Sequence, residues 1–136
     1  MTLARELMTR VEPISDDATV AEAARRLAAS TYDSIPVCDS QGRLRGLVSD
    51  RDLVVEVAAA GKLSSETRLI DLVRGEVVSV RADDTIEKVI ETMRDYRTPR
   101  VPVVDGDHLV GMLSRADLAA RVREGLLPAS RDEADV

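Results

Sequence analysis

The chain of 136 residues predicts an α/β fold built from two tandem βαββα repeats. Two observations predict it. Blocks of sequence recur in one order at a nearly constant offset, and each block switches between the apolar spacing of strands and that of helices. A third, the composition, is that of a folded chain: 44% apolar and 32% charged residues are enough to build a core without disulfides or metals.

The repeat is read directly from the residues. Ser34-Ile35-Pro36-Val37-Cys38-Asp39 overlies Arg100-Val101-Pro102-Val103-Val104-Asp105, and Leu44 to Leu53 overlies Leu109 to Leu118 after one deletion in the intervening turn. Asp17-Ala18-Thr19-Val20 overlies Asp83-Asp84-Thr85-Ile86, and Glu6-Leu7-Met8 overlies Asp71-Leu72-Val73. The repeats are placed at 1–62 and 63–125, with the acidic tail 126–136 expected to be disordered.

Within each repeat the elements follow in order. Val11–Ile14 and Val77–Val80 read as short extended segments. Helices open at Thr19 and Thr85 behind acidic residues, and Thr19 with Glu22 has capping-box spacing. Ile86, Val89, Ile90 and Met93 form one apolar helical face. Its counterpart, Val20, Ala23, Ala24 and Leu27, is smaller and would let a second helix approach. Ile35–Cys38 and Leu44–Val48 read as a hairpin, with a shorter turn in the second repeat at Asp105-Gly106-Asp107-His108. Pro36 and Pro102 belong at a bulge or where the missing N–H faces no partner. Closing helices start at Ser49 and Ser114 and stop at Gly61 and Gly125, and a short polar linker spans Lys62–Arg68.

Composition also excludes classes of function. With a net charge of −6 and two tyrosines as the only aromatics, the chain has neither a basic face nor stacking platforms for nucleic acid. No uncharged run approaches a membrane span of roughly 20 residues, and Met1–Arg10 carries no secretory signal pattern. A single cysteine, Cys38, fits a reducing, cytoplasmic setting. It reads as a small core residue, with a redox switch as the alternative. His108, the only histidine, lacks the neighbours that a zinc site or a catalytic triad needs, so no catalytic set and no metal site is expected.

Ile35-Pro36-Val37 with Gly46-Leu47-Val48-Ser49-Asp50-Arg51-Asp52, repeated as Val101-Pro102-Val103 with Gly111-Met112-Leu113-Ser114-Arg115-Ala116-Asp117, resembles the CBS domain. The resemblance runs from about Ala4 to Glu124 and is similar to stand-alone bacterial CBS pairs, including the hypoxic-response type. It implies two repeats about a pseudo-twofold axis, a ligand cleft between them, and pairing of two chains into a flat head-to-head or antiparallel dimer. It also implies a regulatory module that binds an adenosine-containing ligand (AMP, ADP, ATP or S-adenosylmethionine) and signals to a partner protein. The hydroxyl and carboxylate of the Ser-x-x-Asp motif would take phosphate and ribose. Carried over, these are Ser49 and Asp52, then Ser114 and Asp117, with the base lying near Val11–Ile14 (Ile14) or Val77–Val80 (Val78).

Ser-x-x-Asp is also a helix-capping pattern, so each motif is either a cap alone or a cap and a ligand site. Charge favours the second repeat. Arg97, Arg100 and Arg115 lie near its motif, whereas Ser34, Asp33 and Asp50 occupy the corresponding region of the first. The alternative function is a nucleotide-free dimeric adaptor. Leu53–Ala60, apolar nearly all round with Glu56 its only charge, is expected to face a second copy of the chain.

Overall fold

The computed structural model describes residues 1–73 and 75–125. The expected tail therefore lies outside the described residues. Two compact units form, one from Glu12–Val77 and the other from Met1–Val11 with the chain from Val78 onward. These units cut the chain differently from the sequence repeats 1–62 and 63–125. Each repeat surrenders its leading segment to the unit built around the other.

In the first unit, β1 (Ile14–Ser15) leads to α2 (Val20–Ala28), the hairpin β2 (Ser34–Cys38) and β3 (Leu44–Ser49), and a closing helix. That helix begins as α3 (Asp50–Leu53), continues as a π turn over Val54–Ala58, and is followed by a 3-10 turn at Leu69–Asp71. The second unit holds α1 (Ala4–Leu7), β4 (Val80–Arg81), α4 (Ile86–Asp95), β5 (Arg100–Asp105), β6 (His108–Ser114) and α5 (Arg115–Arg123). Each sheet has three strands. The short strand pairs in parallel with the central one, which pairs antiparallel with the third.

The exchanged segments dock by the same bonds in both units. Ala4 N–H donates to Asp84 O (2.8 Å), Arg5 N–H to Ala82 O (3.0 Å), and Ile86 N–H to Thr2 O (3.1 Å). In the first unit Leu69 N–H donates to Ala18 O, Ile70 N–H to Asp16 O and Val20 N–H to Thr67 O, each at 2.9 Å. A helix leaves its first N–H groups without internal partners, and here the borrowed segment accepts from Val20 and Ala21 N–H in the first unit and from Ile86 N–H in the second. The polar stretch Lys62–Arg68 is exposed except at Thr67, which is buried and caps α2 through its carbonyl. Ala4 and Leu69, at matching places in the repeat, are both wholly buried.

The two motif glycines are required by this docking. A Cβ on Gly111 would stand 2.7 Å from Met8 Sδ, and one on Gly46 would stand 3.0 Å from Val73 Cγ1. Both neighbours belong to the borrowed segments. Beside Gly111, Thr9 pairs with Met112 through two backbone bonds of 2.9 Å and adds a bridge to β6.

Several expectations hold in detail. Thr19, Thr85, Ser49 and Ser114 are the N-caps, and Ile86, Val89, Ile90 and Met93 are all buried. Others need correction. The ladders cover only Ile14–Ser15 and Val80–Arg81: β2 and β5 reach back to Ser34 and Arg100, but the parallel pairing starts at Val37 and Val103, just past Pro36 and Pro102, which have no N–H to extend it. The prolines are tolerated in central strands because the parallel partner begins one residue later, and the bulges fall further on, at Val37/Cys38 and Val103/Val104. Of the Thr19–Glu22 box only the hydroxyl half forms, Glu22 N–H donating to Thr19 Oγ1 at 3.2 Å. Ala24 is exposed and Leu27 half-buried, so the small face of α2 is only partly used within its unit.

The first closing helix also departs from its duplicate. One residue more separates Ser49 from Gly61 than Ser114 from Gly125. The helix absorbs it as a π turn, with Ala59 N–H donating to Val54 O (2.8 Å) and Lys62 N–H to Val57 O (2.9 Å). Val57 is buried, whereas Val54 and Val55 are left 60% and 48% exposed.

Candidate functional site

Backbone register brings most of the second-repeat candidates to one end of one sheet. Ser114 ends β6 and caps α5, and Arg100 opens β5 as its cross-strand partner. Arg115 is the first residue of α5, its N–H donating to Pro99 O at 2.8 Å. Val80 faces Val103, so Val78 lies back toward Arg100 at this same end, half-buried against the core. Asp117 N–H donates to Ser114 Oγ at 3.0 Å. The Asp117 carboxylate is exposed and does not return to the Ser114 N–H.

The first-repeat candidates occupy the equivalent end of the other sheet, where Ser34 and Ser49 are cross-strand partners. There the capping box closes in both directions: Asp52 N–H donates to Ser49 Oγ (3.2 Å), and Ser49 N–H donates to Asp52 Oδ2 (2.8 Å). Asp50 Oδ1 accepts from Arg51 N–H at 2.8 Å. Two carboxylates therefore already sit at this helix start. Ile14 is a core residue facing Val37, 7% exposed.

Sequence reasoning did not find two further features. Arg26, on α2, donates from both guanidinium nitrogens to the carbonyls of the segment before β1, to Pro13 O at 2.9 Å and to Glu12 O. The residue in its place on α4 is Thr92, buried and returning its hydroxyl to Lys88 O at 2.9 Å. The repeat offset pairs Arg26 with Thr92, and that contrast was the only available signal. Arg97 is the one described non-glycine residue with positive φ, at 51°. It ends α4 in a Schellman motif, Thr98 N–H donating to Met93 O and Arg97 N–H to Arg94 O.

The remaining polar groups are accounted for locally. Burial pushes the Cys38 thiol above its ordinary value, and the charges of Asp39 and Asp16 push it further. His108 opens β6 on the surface, its Nδ1 2.9 Å from Asp107 Oδ1. Among the described residues no three His, Cys, Asp or Glu groups could hold a metal, and no helix is long and apolar enough to cross a membrane.

Two βαββα repeats, each with a last strand that delivers Ser-x-x-Asp to the start of the closing helix, define a tandem α/β repeat protein. The CBS domain family matches residues 4–59 and 69–124, and the chain belongs to it. Over 125 residues, 91% of this chain and 87% of the relative, it is 30% identical to Hypoxic response protein 1 of Mycobacterium tuberculosis. The crystal structure of Hypoxic Response Protein I with two coordinated zinc ions superposes with a TM-score of 0.82 at 30% identity, covering 89% of this chain and 99% of that one. The cytosolic domain of the Mg2+ channel MgtE in complex with ATP superposes with a TM-score of 0.74 at 33% identity, over 88% of this chain and 48% of that one.

Proposed function

We propose that this protein is a regulatory binding module, not a catalyst, working in the cytoplasm and taking an adenosine nucleotide at the sheet end formed by Ser114, Asp117, Arg100, Arg115 and Val78. The observation that carries the reading is the state of the two motif carboxylates. Asp52 is tied back onto its own cap, while Asp117 is exposed and not tied back. A carboxylate not tied to its own helix can turn both oxygens to a vicinal diol, whereas Asp52 has Oδ2 committed to Ser49 N–H and its rotamer fixed by that bond. The N-terminus of α5 favours an anion, and arginines suit phosphate. The ATP complex of the MgtE cytosolic domain supports the ligand class. AMP, ADP, ATP and S-adenosylmethionine are the candidates, and binding would shift a conformational equilibrium that a partner protein reads.

A thermal-shift panel followed by titration tests this. Ligand at 100-fold over Kd should stabilise by about 2.7 kcal/mol. Asp117→Ala should weaken binding about 10- to 100-fold, the equivalent of about 1.5–3 kcal/mol for a hydrogen bond to a charged group, with Tm nearly unchanged. No response to any of the four ligands would end this reading.

A second reading, a homodimeric adaptor, is favoured by the exposed Val54 and Val55 on the π turn. In this reading the Ser-x-x-Asp motifs are helix caps only and no nucleotide binds, so the ligand panel separates it from the first; a dimer covering Leu53–Ala60 is by itself compatible with both. Sedimentation of wild type and Val54→Asp tests the dimer, which the charge should dissociate.

A further inference from the structure

Resting on that reading, we infer that the chain takes one nucleotide, and that the equivalent sheet end of the first unit is a pseudo-site occupied by its own side chains, with Arg26 the residue that shuts it. The register makes the two ends equivalent: Ile14 faces Val37 and Ser34 faces Ser49, as Val80 faces Val103 and Arg100 faces Ser114. Glu12–Pro13 and Val78–Ser79 therefore flank corresponding ends. In the first unit the Arg26 guanidinium holds the Glu12 and Pro13 carbonyls, main-chain acceptors that an exocyclic amine of a base would need. Across that end, Asp50 and Asp52 fill the helix-start donors that a phosphate would need, and both carry charge that repels it. In the second unit Thr92 gives its hydroxyl to Lys88 O of its own helix, Arg115 replaces Asp50, and Asp117 is not tied back.

The test is a calorimetric titration of the full chain with ATP, joined to amide chemical-shift mapping. One nucleotide per chain is expected, with shifts at residues 97–117 and none at 12–14 or 49–52. Two per chain, or shifts at both ends, would overturn the inference while leaving the proposed function standing; no binding at all would overturn both. Arg26→Thr installs the second unit's residue. It is titrated with adenosine, which has no phosphate for Asp50 and Asp52 to repel. Adenosine should now shift the Glu12 and Ile14 amides, which stay silent in wild type. Silence in the variant would remove Arg26 from the role. If Arg26→Thr fails to fold, Arg26→Lys serves, since one ammonium lacks the planar fork that reaches two carbonyls in fixed geometry.

Discussion

The two units share the three backbone bonds that dock each borrowed segment and part company where side chains finish the helix starts. Leu69 N–H to Ala18 O repeats Ala4 N–H to Asp84 O, and Thr67 O caps α2 as Thr2 O caps α4. Yet the Asp52 carboxylate closes on Ser49 N–H, the Asp117 carboxylate does not return to Ser114 N–H, and Arg26 grips the segment before β1 where its counterpart Thr92 bonds only within its own helix. The duplicated hydrogen bonds are what the fold requires of any sequence. The differences lie at one end of each sheet, where the fold constrains the side chains least, and there two copies of one architecture can hold different sites.

The largest break in the comparison is removal of residues 1–9. Ala4 is wholly buried, and Leu7 and Met8 pack against the core of the second unit. Losing burial worth about 1.5–3 kcal/mol for each large side chain approaches the whole stability of a small unit, about 5 kcal/mol. In a heteronuclear NMR spectrum, signals of residues 78–125 should collapse while those of 12–77 keep their dispersion. Loss in 12–62 instead would place the segment with the repeat it precedes, and the exchange would fall.

Next come the crossing points. Gly46→Ala and Gly111→Ala should each cost about 1–3 kcal/mol by overpacking, read as a lower urea midpoint. The closer contact at Gly111 is with Met8 Sδ and Cγ, which can swing away. The fixed neighbours are the Cβ atoms of Met8 and Val73, both at 3.1 Å. The two losses should therefore be similar, and a much larger one at Gly111 would show that Met8 is locked in place.

These glycines show what was legible in the sequence. Repeat offset, caps, hairpins and the buried face of α4 could be read from residue spacing, because each is local and periodic. The exchange of leading segments could not, since both partners of Gly111–Met8 and Gly46–Val73 look unremarkable until the chain crosses. At the site, the Ser and Asp positions were readable, but whether a carboxylate returns to its cap is a rotamer, and spacing is silent on it. Charge gave the favoured repeat through Arg100 and Arg115 against Ser34 and Asp50. The clamp by Arg26 joins residues from two elements and leaves no trace in either alone. The π turn was hidden in one extra residue before Gly61, visible only when the repeats are aligned to their ends.

A smaller effect, of opposite sign in the two units, is expected where α2 and α4 end. Arg97 holds a left-handed backbone conformation that disfavours a side chain, and Thr31, its match in the repeat, does not. Arg97→Gly should stabilise by about 0.5–1 kcal/mol, relief of left-handed strain outweighing the added freedom of the unfolded chain. Thr31→Gly should destabilise by up to about 1 kcal/mol, since the unfolded chain gains freedom with no strain to relieve. If Arg97→Gly also weakens nucleotide binding, the lost guanidinium serves the ligand, since glycine keeps the left-handed backbone; unchanged affinity confines Arg97 to the turn.

The smallest difference lies in the hairpin turns and depends on pH. In the first, the Asp39 carboxylate accepts from Gln41 N–H (2.8 Å), Arg43 N–H (3.0 Å) and Arg43 Nε (2.8 Å). Desolvation, the largest single influence, pushes its pKa up, but those hydrogen bonds and the Arg43 charge together outweigh it and hold the carboxyl below its ordinary range. A depressed folded value means the stabilisation is present in full above the unfolded value of about 3.9 and fades as pH falls through the folded one. The second hairpin turns in two residues, Gly106 and Asp107, with Gly106 at φ 66° supplying the reversal through its backbone. Asp39→Asn should therefore lower Tm near neutral pH, and the gap to wild type should close as both are acidified. A gap that persists in acid would mean Asp39 shapes its turn by hydrogen bonding alone, as an amide would, and the contrast in charge between the two hairpins would have no energetic content.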